Sequence, residues 1–210
     1  MARSRSVALA SVAAALLANF WVLEDLLARH TDLSEAWISD LAARSQAGGW
    51  RFQLLEVLAG LAIAGFAWLL LCREGGRSPL LRRGLLALLL AGLLAALGGI
   101  APLNCAEALE RACELSYDPF DLVHTGANLL EVAALLIAFA GIGLGLLRLD
   151  PRDRRGRATL TIAAFWLLLT AVAGLGYLVG DVGEFKGLLQ RGAQLLLGGW
   201  LVLLGWRPRE

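Results

Sequence analysis

Six runs of apolar residues, separated by short polar or glycine- and proline-bearing connections, set the pattern of this 210-residue chain: roughly Val7 to Leu27, Phe52 to Leu71, Gly84 to Leu103, Leu122 to Leu147, Ala158 to Gly180 and Leu188 to Trp206. A bilayer core about 30 Å thick asks for ~20 apolar helical residues, because every backbone amide must be satisfied within its own segment where water is absent. Six transmembrane helices are therefore predicted. The third and fifth runs carry no charge at all, and none of the six alternates polar and apolar positions as a membrane barrel strand does. The longest external segment, Ala28 to Arg51, is too short for a core of its own. The predicted fold is all-α, a single polytopic membrane bundle over residues 1–210.

Composition agrees: 58% of the residues are hydrophobic, more than a soluble domain of this size carries. The first run follows Arg3 and Arg5 as a secretory signal would, but it is longer than a signal core, so it is expected to stay as a span. The formal net charge of +1 gives no basic excess for nucleic acid, so none is expected as a partner. Charge placement says more. With the N-terminus taken as cytoplasmic, that side holds Arg3, Arg5, Arg73, Arg77, Arg82, Arg83, Arg148, Arg152, Arg154, Arg155, Arg157, Arg207 and Arg209. The other side holds only Arg29, Arg44, Arg51, Arg111, Lys186 and Arg191. The positive-inside rule then predicts both termini inside. The wealth of Ala, Leu, Gly and Arg, with Lys186 the sole lysine, points to a GC-rich bacterial genome and hence to a multi-pass protein of the bacterial inner membrane.

Glycine pairs at helix-packing spacing, Gly141/Gly145, Gly176/Gly180 and Gly183/Gly187, fit ordinary packing within the bundle, or homo- or hetero-oligomer contacts as the alternative. Trp50 and Trp206, near span ends, read as interfacial anchors. Cys105 and Cys113 lie in the connection between the third and fourth runs. On an oxidising outer side they are expected to form a disulfide, whereas Cys72 at the opposite end should stay free.

The most informative polar pattern opens the fourth run. Asp121, His124, Asn128 and Glu131 are spaced by three, four and three residues and so share one helix face. A charge at mid-span costs about 2.5–3.5 kcal/mol on insertion scales, so this face must turn to the bundle or to water. Glu56, and Gln190, Arg191 and Gln194, reach a similar level from the second and sixth runs, as do Asn19, Glu24 and Asp25 from the first and Tyr177, Asp181 and Glu184 from the fifth. An outward polar cavity is expected, with Arg191 neutralising Glu131 or Glu56. A ligand-free interhelical salt bridge is the competing account. With only His30 and His124, a three-histidine zinc centre is impossible, and no metal or other cofactor is expected. A mixed site of His124 with Asp121, Asp40 or Asp118 is the alternative. Ser39 and Ser116 lack the glycines of a nucleophile elbow.

Trp37-Ile38-Ser39-Asp40-Leu41, Pro102-Leu103-Asn104-Cys105, His124 and Gly187-Leu188-Leu189-Gln190-Arg191 together resemble the bacterial six-span membrane family catalogued as domain of unknown function 998. The Ile-Ser-Asp element is also distantly similar to one in DRAM/Sfk-like six-span proteins, some of which are linked to lipid remodelling. The resemblance implies six spans and an outward cluster of Ser39, Asp40, His124 and Arg191, without supplying a reaction.

The expected function is binding or remodelling of a lipid head group or polar lipid precursor, with membrane lipids as partners. Arg191, Gln190, Glu131, Asn128 and Glu56 would bind the ligand, and His124 with Asp121, Asp40 and Ser39 would act if chemistry occurs. A small proton-coupled transporter and a non-catalytic assembly factor are the alternatives.

Overall fold

The computed structural model describes residues 2–24, 34–106, 110, 113, 118–179 and 185–206, with backbone alone for 2–4 and 177–179. Asp25, Arg29, His30, Asp32, Glu107, Arg111, Glu114, Ser116, Asp181, Glu184, Arg207 and Arg209, and the side chain of Tyr177, lie outside these. Seven α-helices occur among the described residues: α1 (Ala2–Ala18), α2 (Ile38–Leu41), α3 (Gly49–Glu74), α4 (Pro79–Ile100), α5 (Pro119–Leu149), α6 (Arg154–Val179) and α7 (Lys186–Gly205). Each long helix from α3 to α7 is apolar and long enough to cross a membrane. The chain is thus a multi-pass membrane protein. The apolar part of α1, Arg5–Ala18, is shorter.

That shortness departs from the expected run to Leu27 and has a local cause. Asn19 turns its Nδ2 back to Ala15 O at 2.9 Å and its Oδ1 to Trp21 Nε1 at 3.2 Å, offering the backbone an alternative to the α-helical ladder. A 3-10 turn, Phe20–Leu23, follows. The other starts are set by familiar chemistry. Gly48 enters α3 at φ 88°, a conformation open to glycine. Pro79 and Pro119 stand in the first turns of α4 and α5, where a missing N–H costs nothing. Asp118 accepts from Phe120 N at 3.0 Å to cap α5.

The six longer helices form a closed antiparallel ring in which each packs on its neighbours in sequence and α7 returns to α1. Small residues let the backbones approach. A Cβ on Gly141 would lie 2.7 Å from Gly84 Cα, and one on Gly145 would lie 2.8 Å from Leu81 Cα. The Gly141/Gly145 pair is therefore used between α5 and α4 of this chain. Gly198 and Gly205 of α7 meet Asn19, just past α1, and Ser11 of α1, and close the ring. Its middle is filled by Phe139, Trp166 and Trp200, with ring centroids 5.5 and 4.2 Å from Phe139. Trp200 Nε1 donates to Thr159 Oγ1 at 3.0 Å, which satisfies the one polar atom of that indole. Trp50 and Trp206 are exposed.

Because the helices alternate in direction, the two ends of the ring differ. The connections 75–78 and 150–153 share one end with the start of α1 and the close of α7, and this end carries Arg73, Arg77, Arg82, Arg83, Arg148, Arg152, Arg154, Arg155 and Arg157. The connections after α1, α4 and α6 share the other end.

Candidate functional site

At that second end the ring encloses a cavity of about 270 Å³. Its polar wall comes from five elements: Ser39 of α2, Glu56 of α3, Asn128 and Glu131 of α5, Thr170 of α6, and Gln190 and Gln194 of α7. Ala59, Ile63, Val132, Leu135 and Leu197 give it an apolar wall, with Trp37, Trp166 and Phe20 adding aromatic surface. Asn128, Glu131 and Val132 share the inward stripe of α5, as the three- and four-residue spacing requires. Gly98 of α4 makes room beside them. A Cβ there would lie 3.2 Å from Glu56 Oε1 and 3.4 Å from Asn128 Oδ1.

The residues expected to act divide into two groups. Ser39, Glu56, Asn128, Glu131 and Gln190 line the cavity. Asp40, Asp121, His124 and Arg191 are buried and do not line it. The expected pairing of Arg191 with Glu131 or Glu56 does not occur. Arg191 Nη2 instead meets Glu24 Oε2 at 2.7 Å and Nη1 donates to Ala36 O at 2.7 Å, because ring closure brings the end of the first apolar run onto α7. Its guanidinium also lies 5.7 Å from the centroid of Trp21. Gln190 Oε1 accepts from Ile38 N at 2.7 Å and Gly187 N donates to Ser34 O at 2.8 Å. These bonds fold the segment around α2 across the first turns of α7.

His124 Nδ1 lies 3.1 Å from both Gly98 O and Ala101 O. Gly98 O, in the last turn of α4, also accepts from Ala101 N at 3.2 Å, and Ala101 O stands just past the helix, where the helical ladder has ended. With a proton on Nδ1 the imidazole caps that helix, and Nε2 is the non-protonated nitrogen of a neutral ring. Neither ring nitrogen hydrogen-bonds a carboxylate among the described residues, and Ser39 is not hydrogen-bonded to His124. Asp121 Oδ1 accepts from Asn104 N at 2.8 Å, and Asp40 Oδ2 accepts from Trp37 N at 2.8 Å. Both carboxylates thus hold connections in place. Among the described residues no three His, Cys, Asp or Glu side chains converge as a metal-ligand set.

The same end is tied down outside the cavity. Cys105 and Cys113 form a disulfide, and Cys72 is free and exposed. Arg44 Nη2 pairs with Asp118 Oδ2 at 2.7 Å and lies over the Phe120 ring. The Phe120 N–H and the Arg44 guanidinium hold Asp118 below the ordinary carboxylate range. Glu110 accepts from Ser45 Oγ and, at 2.7 Å, from Gln46 Nε2, and these bonds, that from Ser45 foremost, lower its proton affinity too.

Sequence reasoning passed over Thr170, Trp166 and Gly98. Thr170 carried a signal, a hydroxyl in the middle of an uncharged span, spaced by four and three residues from Trp166 and Ala173. Gly98 carried none, since its role depends on side chains from two other helices.

Chemically, the cavity presents two carboxylates and several carboxamides, with no Arg or Lys in its lining among the described residues. Neither Glu56 nor Glu131 has a hydrogen bond or ion pair with any described residue. The arrangement is acceptor-rich and suited to binding. A family model with the description "Protein of unknown function (DUF998)" matches residues 11–207. No curated protein and no solved structure matches the chain.

Proposed function

From a chain that belongs to a family whose description assigns no chemistry, we propose a function on geometry alone: binding of the polar head of a membrane lipid or lipid precursor in the cavity at the outward end of a six-span bundle. The protein sits in the bacterial inner membrane with both termini cytoplasmic. The gathering of arginines at the opposite end of the ring supports that orientation. α1 acts as the sixth span, with the 3-10 turn Phe20–Leu23 extending it.

One observation carries the reading. Glu56, Asn128, Glu131, Gln190 and Gln194 converge on one cavity, inside a ring whose outer surface is apolar. Glu131 stands about two-fifths of the way along α5, so the cavity reaches from the membrane surface toward hydrocarbon, the depth range of a lipid head and its first methylenes. Binding is favoured over catalysis because His124 serves the end of α4. A conduit is disfavoured by the layer of Leu135, Phe139, Leu197 and Trp200 deeper in the ring. Assembly through Gly141 and Gly145 is disfavoured because α4 covers them.

The test fills the cavity. Lipids co-purifying with the wild type and with Ala173→Leu are compared by native mass spectrometry, Ala173 being a small buried residue of the lining. Loss of one bound species is expected in the variant. Identical profiles would remove the reading.

A further inference from the structure

We propose that the group this cavity recognises is an organic ammonium, carried on an apolar chain and held between Glu56 and Glu131. The inference rests on the head-group reading above and names the chemistry of what it binds.

The charge pattern is the first ground. Glu56 and Glu131 reach the same space from α3 and α5, and no cation of the lining accompanies them among the described residues. The nearest expected partner, Arg191, is committed to Glu24 and Ala36 O. A carboxylate withdrawn from bulk water in a membrane protein calls for a compensating charge or proton. An ammonium supplies that charge.

The hydrogen-bonding pattern is the second. Gln194 Oε1 is buried and accepts no hydrogen bond, and Asn128 Oδ1 stands beside Glu56 Oε1 at Gly98. Open oxygens thus stand beside the two carboxylates. An alkylammonium offers them three donors and no acceptor, whereas phosphate or carboxylate would bring like charge against Glu56 and Glu131. The third ground is the remaining wall. Ala59, Ile63, Val132, Leu135 and Leu197 suit methylenes, and the indole of Trp166 adds a face that attracts cations.

An ammonium reaches such a site either on a lipid head group or as a free amphiphilic amine, and the experiment separates the two. Full-length protein in nanodiscs of uncharged, amine-free glycolipid is titrated calorimetrically with hexylamine, hexanol and hexanoate. The wild type should bind hexylamine at least about tenfold more tightly than hexanol and should not bind hexanoate. Glu131→Gln and Glu56→Gln should each weaken hexylamine binding about tenfold while leaving hexanol unchanged, as loss of one charge-assisted contact predicts. Should one Gln variant fail to fold, the other and the wild-type probe series still decide. Equal binding of hexylamine and hexanol, or tighter binding of hexanoate, overturns the proposal. A second series adds lipid with an ethanolamine head group. Displacement of hexylamine assigns the ammonium to a lipid head, and persistence of hexylamine binding assigns it to a free amine. If Ala173→Leu alters the co-purifying lipid while hexylamine shows no preference, the ammonium assignment alone falls. If Ala173→Leu changes nothing, the head-group reading falls with it.

Discussion

Arg191 and Glu24 lie 167 positions apart in sequence and 2.7 Å apart in space, each side chain 3% exposed. Their contact, together with the bond from Arg191 to Ala36 O, fastens α7 to the segment that follows α1. Removing one partner of a buried pair leaves the other uncompensated, at about 3–5 kcal/mol. Arg191→Met and Glu24→Gln should therefore each lower the thermal midpoint sharply. The double variant Glu24→Leu/Arg191→Met should recover part of the loss. If both single variants unfold at the wild-type midpoint in nanodiscs, the clamp has no structural weight.

His124→Ala should destabilise the bundle by about 1–3 kcal/mol, because the buried Ala101 O loses the imidazole and Gly98 O keeps only the 3.2 Å bond from Ala101 N. Binding to the cavity should change far less than it does in Glu131→Gln. Selective loss of ligand with full stability would instead place the imidazole among the binding groups.

Gly141→Leu should separate α4 from α5, since even its Cβ would lie 2.7 Å from Gly84 Cα. Overpacking of this kind costs about 1–3 kcal/mol, more where backbone faces backbone. Gly174→Leu, at a position whose Cβ meets nothing within 4 Å, is the matched control and should be tolerated. Equal stability of the two variants, measured by thermal unfolding, would remove the role given to the glycine contact.

Acid should loosen the cavity end at its outer connections. Asp118 is held below its ordinary value of 3.8 by the Phe120 N–H and by Arg44, and Glu110 below 4.5 by Ser45, Gln46 and the Ala106 N–H. A depressed carboxylate adds stability that is complete above its ordinary value and is lost as pH falls through the folded one. The thermal midpoint should thus drop below about pH 4, and less so in Asp118→Asn. Both groups are partly open to solvent, so the effect should shrink in high salt.

Cys72 offers a test of orientation, being free and exposed at the end opposite the Cys105–Cys113 disulfide. A membrane-impermeant maleimide should leave it unlabelled in intact cells and label it once the membrane is opened. Labelling in intact cells would invert the proposed topology.

The apolar pattern shows five long helices plainly, since periodicity and length depend on neighbours in the chain. The spacing of Asn128 and Glu131 likewise places both in one cavity. What the sequence conceals are the relations that ring closure creates. Nothing local to Arg191 marks Glu24 as its partner over Glu131, and nothing near His124 shows that two carbonyls of α4 will claim its Nδ1. Asn19 ends α1 through its own side chain, a choice that propensity alone does not reveal within an apolar run. The disulfide was legible because two cysteines in one short connection have few other options.

The meeting of α1 with α7 also orders events at the ribosome. Glu24 is made early in synthesis and Arg191 arrives only with the last helix, so the clamp between them cannot close until the chain is nearly finished. A copy cut short before Arg191 lacks that clamp.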